Sequence, residues 1–332
     1  MKKVCILGAG AWGAAVATVL AHNGHSVVLW CHNPSVARDI TMNKCNERFL
    51  PGVQLDAQIT ATTNMQEAMQ GAHFIFEAIP VQFLREVLQQ AHEFYAHNQI
   101  LVVLSKGIER QTLMLPSQIM DDIFGVDFKK AVVVGPSFAK EVAACALTGV
   151  CVASSDDKVA AELQSLLHND YFRVYKTLDV IGVQIGAALK NVMALGVGLL
   201  DGSGYKDNTK AFFITRGLNE IKRVALALGA QEATLYGLSG LGDLILTGTG
   251  RHSRNLDVGR RIGAGNTLQQ ALDESGHTAE GANTVQSLNA LAAKLNISLP
   301  ICSAIHRVLF ENIAIKDALR TVLDEALEWE FE

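Results

Sequence analysis

The sequence predicts an α/β fold in which an N-terminal doubly wound sheet is followed by an all-α C-terminal domain. Three observations carry that expectation. Short apolar runs of β type alternate with helical patterns as far as about residue 175. From residue 180 onward the β-type runs nearly vanish and helical spacing takes over. Between the first apolar run and the first helical pattern, Gly8, Gly10 and Gly13 stand at the spacing G-x-G-x-x-G. A chain of 332 residues is longer than a single core usually grows, so two units are expected, 1–185 and 186–332.

Val4, Cys5, Ile6 and Leu7 read as the first strand. The glycines then make a tight turn, and the small apolar residues after Gly13 continue as a helix. This order is that of a Rossmann-type unit: backbone without Cβ atoms lets a pyrophosphate approach, and the free N–H groups of the helix start meet its charge. Later strands are expected at 26–30, 74–79, 100–104, 131–134, 150–153 and 172–175, all in one parallel sheet. Helices are expected at 81–96 and 112–124, with Pro80, Pro116 and Pro136 at helix starts or in turns.

The second strand ends in Trp30, Cys31, His32 and Asn33, with no carboxylate and with Arg38 close behind. An acid at that place would bind the ribose hydroxyls of NAD and repel a 2′-phosphate. Its absence, with His32 and Arg38 at hand, predicts that NADP(H) is accepted alongside NAD(H).

In the second half, residues 180–200 are apolar or small except for Gln184, Lys190 and Asn191. The run could span a bilayer by length, but a lysine and two amides inside it are costly in lipid. A buried central helix is the expectation, with no stable membrane insertion. Further helices are expected at 210–228, 253–263, 267–274, 282–295, 303–310 and 315–327, with Gly229, Gly265 and Gly276 as stops.

Composition narrows the function. The net charge is −5 and the basic residues form no run or stripe, which argues against nucleic acid as a partner. Six cysteines lie far apart with no C-x-x-C pair, as expected of reduced packing residues in a cytoplasmic protein. The glycine fingerprint occupies the place where a secretory apolar region would stand. No P-loop, H-E-x-x-H, nucleophile elbow or Cys/His cluster occurs, so no metal is expected.

Chemistry in open α/β sheets gathers beyond the carboxyl ends of the strands. Ser105, Lys106 and Gly107 follow one strand, and Gly135, Pro136 and Ser137 follow another. Lys106 would bring an ammonium to the cleft mouth, and the backbone near Ser137 offers an anion site; a solvated lysine and an N-capping serine are the plain alternatives. Lys190, inside its apolar helix, needs a partner, a cavity or a lowered pKa. A desolvated lysine suits a dehydrogenase, which must take the hydroxyl proton while hydride leaves the carbon. The segment 237–255 is glycine-rich, with Asp243 as its one carboxylate and Arg251, His252, Ser253, Arg254 and Asn255 at its end. Arginine, a hydroxyl and a helix start suit a small phosphorylated substrate. Asp243 could bind a hydroxyl, orient Lys190 or shape an Asx turn.

Seven motifs, taken together, resemble those of the bacterial NAD(P)-dependent glycerol-3-phosphate dehydrogenases nearly end to end. They are Gly-Ala-Gly-Ala-Trp-Gly at 8–13, Ser-Lys-Gly at 105–107, Gly-Pro-Ser-Phe-Ala-Lys-Glu at 135–141, Leu-Lys-Asn-Val at 189–192, Ile-Thr-Arg-Gly-Leu at 214–218, Gly-Leu-Gly-Asp-Leu at 240–244 and Ser-Arg-Asn at 253–255. The resemblance implies reversible reduction of dihydroxyacetone phosphate to sn-glycerol 3-phosphate, a step toward glycerophospholipids. By the same resemblance Lys190 is the proton acceptor. Lys106, Gly135, Ser137, Asp243, Ser253, Arg254 and Asn255 would contact substrate. Gly8, Gly10, Ala11, Trp12, Gly13, His32, Lys106, Ala139, Arg254 and Glu280 would line the cofactor site; Ala139 and Glu280 enter through the resemblance alone. The family pattern commonly has Ser or Thr where this chain has Ala11, Thr where it has Ser105 and Cys where it has Gly248. A related dehydrogenase of a β-hydroxyacid or ketopantoate-like substrate, and a dinucleotide sensor without turnover, are the rival readings. A homodimer is the ordinary expectation for a soluble enzyme.

Overall fold

The computed structural model describes residues 1–276 and 280–323. Its first part is one eight-stranded sheet. The strands are β1 (Lys3–Leu7), β2 (Ser26–Trp30), β3 (Ile59–Thr62), β4 (Phe74–Glu77), β5 (Ile100–Val103), β6 (Lys129–Val134), β7 (Thr148–Ala153) and β8 (Phe172–Thr177). They lie in the order β3-β2-β1-β4-β5-β6-β7-β8. From β1 the chain winds first outward through β2 and β3, then returns to place β4 on the other side. The carboxyl ends of β1 and β4 therefore flank the switch point, where ligands of such sheets bind.

Residues Val4 to Leu7 and Phe74 to Glu77 are fully buried, as strands covered on both faces must be. One face carries the core built around Ile6, Leu29, Phe74 and Phe76; the other carries Leu7, Leu88, Leu101 and Val103. Helix Ala11–His22 packs on the first of these through Ala15, Val19 and Leu20.

The fold departs from the expected pattern both in the sheet and in the helices that cover it. β3 went unforeseen because its sequence, Ile-Thr-Ala-Thr, has no apolar run; pairing with Val27 to Trp30 makes it a strand. β6 and β7 are antiparallel, so β7 and β8 run against the rest of the sheet, not with it. The only helix between β6 and β7 is the five-residue Ala139–Ala143, too short to carry the chain across the sheet for a parallel return. The helix expected at 112–124 begins at Pro116, which sits in its first turn, while Leu113 before it has a φ of 62° that a helix does not allow. The helix Asp157–Leu167, capped by Asp156, was also missed.

The second part is helical, organised on Val180–Gly202. Although this helix is long and apolar enough to cross a membrane, 89% of its apolar window is buried in protein. Around it lie Asp207–Ala227, Arg254–Gly263, Leu268–Ser275, Glu280–Leu295, Pro300–Phe310 and Ile315–Leu323. The expected residues 324–327 of the last helix lie outside the described residues.

Glycines set how closely these helices meet. A Cβ on Gly198 would stand 2.3 Å from Leu256 O, and one on Gly259 would stand 2.2 Å from Leu195 O. Gly202 and Gly263 repeat the contact one turn further along, against Arg260 O at 2.1 Å and Leu199 O at 2.4 Å. Backbone meets backbone here, and neither side can yield as a side chain would. Gly259→Leu is therefore expected to force the helices apart and cost about 3 kcal/mol or more. Denaturant unfolding of the variant measures this; a loss below about 1 kcal/mol would contradict the close packing.

Candidate active site

The site begins at the end of β1. Gly8 has a φ of +110°, and a Cβ there would lie 2.8 Å from Ala78 O at the exit of β4. Gly13 lies so near the strand that its Cβ would come within 2.1 Å of Gly8 O. Gly10 differs from both, because its Cβ would meet nothing within 4 Å. The first and third glycines thus let helix and strand pack, and the second leaves open space beside the helix start. Helix Ala11–His22 has neither a side-chain cap nor an acid in its first turn, so its leading N–H groups face that space without competition. Trp12 Nε1 is buried without a hydrogen-bond partner among the described residues. An open cradle, free N–H groups and positive dipole fit the pyrophosphate of a dinucleotide. Ala11 can offer only its backbone there.

His32 and Arg38 are exposed just past β2, beside helix Pro34–Arg38. Ala139 opens the short helix Ala139–Ala143 and packs against the sheet core. Asn46 was missed by the sequence reading: its buried amide donates to Ala9 O at 2.9 Å and braces the glycine turn from behind. No sequence pattern marks it.

A buried cluster of charged side chains lies where the central helix faces the sheet. Lys190 is 6% exposed, and Asp243, at the start of helix Asp243–Thr249, is 0% exposed. Lys190 Nζ donates to Asp243 Oδ1, and Lys106 Nζ, arriving from the loop after β5, donates to Asp243 Oδ2 at 3.1 Å. One carboxylate therefore serves two ammonium groups from opposite walls of the cleft. Thr247 Oγ1, one helical turn on, lies 3.4 Å from Asp243 Oδ1. It was not foreseen, though its i+4 spacing from Asp243 was a signal. The short irregular helix Leu238–Gly242 presents Asp243, and Gly186 lets it approach: a Cβ on Gly186 would stand 2.5 Å from Ser239 O.

Burial lowers the Lys190 pKa to about 7, with the Lys106 charge acting in the same direction and Asp243 opposing both. Burial also raises the Glu280 carboxyl, against the attraction of Lys106, Lys190 and Arg254. Glu280 thus stands within the field of all three cations.

The remaining residues converge on the same cleft. Ser253 caps helix Arg254–Gly263 by accepting from Leu256 N at 3.3 Å, and it and Asn255 are buried while Arg254 is exposed. Asn255 Oδ1 accepts from Gly281 N at 3.0 Å, and Gly281 in turn packs against Asn191 O. Ser137 Oγ donates to Gly135 O at 2.8 Å. The Phe138 ring, next in sequence, meets His252 edge-on at 5.8 Å, which brings the loop after β6 against the turn before Ser253. Gly248 is buried in helix Asp243–Thr249, where a Cβ would meet Ile214 Cδ1 at 3.4 Å.

Comparison with known proteins places the whole chain in one family. Residues 3–160 match the family described as NAD-dependent glycerol-3-phosphate dehydrogenase N-terminus, and residues 179–320 match its C-terminus. Glycerol-3-phosphate dehydrogenase [NAD(P)+] of Lactiplantibacillus plantarum is 42% identical over 324 residues, covering 96% of each chain. The Bacillus subtilis protein of the same name is 42% identical over 334 residues, covering 100% of this chain and 97% of its own. The crystal structure of glycerol-3-phosphate dehydrogenase from Coxiella burnetii superposes with a TM-score of 0.94 at 33% identity, over 98% of this chain and 99% of that one.

The open space at Gly10 yields a direct test. Gly10→Val adds a side chain where no protein atom stands, so the fold should tolerate it while dinucleotide binding is blocked. NADH affinity by fluorescence titration should fall about a hundredfold or more, with the melting temperature nearly unchanged. Retained affinity would remove Gly10 from the cradle.

Proposed function

The chain belongs to the NAD(P)-dependent glycerol-3-phosphate dehydrogenase family, and from that premise we propose how its cleft carries out the reaction. The reaction is the reversible reduction of dihydroxyacetone phosphate to sn-glycerol 3-phosphate, with NAD(H) or NADP(H) as the redox partner. The observation that carries the proposal is the buried Lys190 and Asp243 pair with Lys106 on the carboxylate's other oxygen.

Residues 1–185 serve the dinucleotide and 186–332 the substrate, with the helix Val180–Gly202 common to both. When bound, the nicotinamide supplies or receives the hydride at C2 of the substrate. Lys190 handles the proton. In reduction its ammonium donates to the C2 oxygen as charge develops there; in oxidation the neutral amine takes the hydroxyl proton. A pKa lowered to about 7 makes both forms available near neutrality. Asp243 holds the Lys190 amine in place and balances its charge.

Three basic side chains, Lys106, Lys190 and Arg254, gather around two carboxyls, Asp243 and Glu280, and burial opposes ionisation at Glu280. That excess suits a phosphorylated substrate. Ser253, the Arg254 guanidinium, Asn255 and the start of helix Arg254–Gly263 hold the phosphate, with Gly135 and Ser137 closing the opposite wall. Trp12, Ala139 and Glu280 line the cofactor side. Exposed His32 and Arg38, with no carboxylate between them and β2, favour acceptance of NADPH as well as NADH. The six unpaired cysteines support a cytoplasmic setting.

Lys190→Ala should lower kcat for dihydroxyacetone phosphate reduction about a thousandfold, while NADH affinity changes by no more than a few-fold. Steady-state kinetics with NADH fluorescence titration decides this, and near-wild-type turnover would remove Lys190 from the proton transfer. The two directions should also differ in pH dependence. Reduction needs the ammonium and should fall as pH rises through about 7; oxidation needs the free amine and should fall as pH drops through the same value. Parallel profiles in both directions would count against this assignment.

A further inference from the structure

Glu77 is the one charged residue in a strand that otherwise reads Phe-Ile-Phe, and it closes β4 at the switch point of the sheet. It is 1% exposed. A carboxyl group at such a site is costly unless hydrogen bonds replace the water it has lost. No ion pair reaches it among the described residues, and four hydrogen bonds do. Oε1 accepts from Leu104 N at 3.2 Å, Ser105 N at 3.1 Å and Ser105 Oγ at 2.6 Å; Oε2 accepts from Ile79 N at 3.2 Å. Each donor belongs to the exit of β4 or of β5. The next residue after Ser105 is Lys106, whose ammonium donates to Asp243.

We propose that Glu77 is a positioning residue that sets the Lys106 ammonium in the cleft by gripping the Ser105 backbone and hydroxyl beneath it; the inference rests on the reading of Lys106 given above. The far side of the same loop is tied separately. Gly107 has a φ of +130°, and its missing Cβ leaves room for Val81 Cγ1, which would otherwise stand at 2.9 Å. Ile108 O accepts from Gln82 Nε2 at 3.1 Å and from Ser287 Oγ at 3.0 Å. Lys106 is thus held between two anchors, with Glu77, among the described residues, as the only side chain that ties its near side to the sheet. An apolar residue at 77 would fill the volume, yet it would leave Ser105 N–H and Oγ without their acceptor.

Burial raises the Glu77 carboxyl to about 8, but geometry rather than charge does the work here. An oxygen at Oε1 accepts from Ser105 in the carboxylate and in the neutral acid alike. An amide oxygen can do the same, whereas a methyl group cannot. This separates anchoring from mere filling of space.

The test is a cycle of Glu77→Ala, Glu77→Gln and Ser105→Ala, each made in the wild-type enzyme and in Lys106→Ala. Kinetics with dihydroxyacetone phosphate and NADH supply the readout. In the wild-type background Glu77→Ala should lower kcat/KM about tenfold or more, and Glu77→Gln should restore it to within about threefold. Ser105→Ala should cost a few-fold. In the Lys106→Ala background all three should change kcat/KM by less than about twofold, since the group they position is gone. If Glu77→Ala does not fold, Ser105→Ala and Glu77→Gln carry the test through the same coupling. Equal losses in both backgrounds would overturn the proposal, as would wild-type kinetics for Glu77→Ala or a Glu77→Gln enzyme as damaged as Glu77→Ala. Lys106→Ala with unchanged kcat/KM would instead strike at the role of Lys106 itself, and so is told apart from failure at Glu77.

Discussion

The buried contact between Lys190 and Asp243 is the constraint on which the rest of the structure depends. An ammonium in the middle of a 23-residue apolar helix would be lost to desolvation without a partner, and a fully buried carboxylate has the same need. Each makes the other tolerable. Removing Asp243 would leave Lys190 and Lys106 without the carboxylate they share, which costs far more than the pair gains when intact. Asp243 must therefore be delivered to one fixed point on a rigid helix, and Lys106 must reach its second oxygen from a different part of the chain.

Delivery at that accuracy explains the glycines of the central helix. Gly186 admits the backbone at Ser239, just before Asp243, while Gly198 and Gly202 admit the helix that begins with Arg254. Gly281 packs on Asn191 and accepts nothing larger than hydrogen, so the start of helix Glu280–Leu295 is set against the residue next to Lys190. The helix is anchored at its own start by Asp179, whose Oδ1 accepts from Gly182 N at 2.8 Å and whose Oδ2 accepts from Gln231 N at 2.9 Å. Each contact replaces a deformable side chain with backbone. Rigid contacts of this kind hold polar groups in register for hydride and proton transfer, where small displacements are costly.

The parts legible in the sequence were those whose reason is local. The glycine spacing reveals its turn because φ and close approach are properties of single residues, and Lys190 is conspicuous because its neighbours are apolar. The parts that stayed hidden depend on partners remote in sequence. β3 is a strand because β2 lies beside it, and the reversed direction of β7 follows from a connection too short to cross the sheet. Asn46 braces the glycine turn from 37 residues away, with no pattern to mark it. Glu77 went unread: it lies inside the run expected as a strand at 74–79, and its meaning lay in Leu104 and Ser105, which only the β4 and β5 pairing brings to it.

The same pairing shows how the two walls of the cleft become one site. On the sheet side, a buried carboxyl at Glu77 holds the loop that carries Lys106. On the helical side, a buried carboxyl at Asp243 receives both Lys106 and Lys190. The path from the exit of β4 to the Lys190 amine runs by hydrogen bonds from Glu77 to Ser105, along the chain to Lys106, and through Asp243 to Lys190, with Glu77, Ser105, Asp243 and Lys190 all buried. The buried links of this path, at Glu77 and at Asp243, are strengthened by the low dielectric around them. A cofactor laid on the sheet and a phosphate held by the helices would thus meet at a lysine whose position both walls determine, which is what a reaction joining hydride movement on one side to proton movement on the other requires.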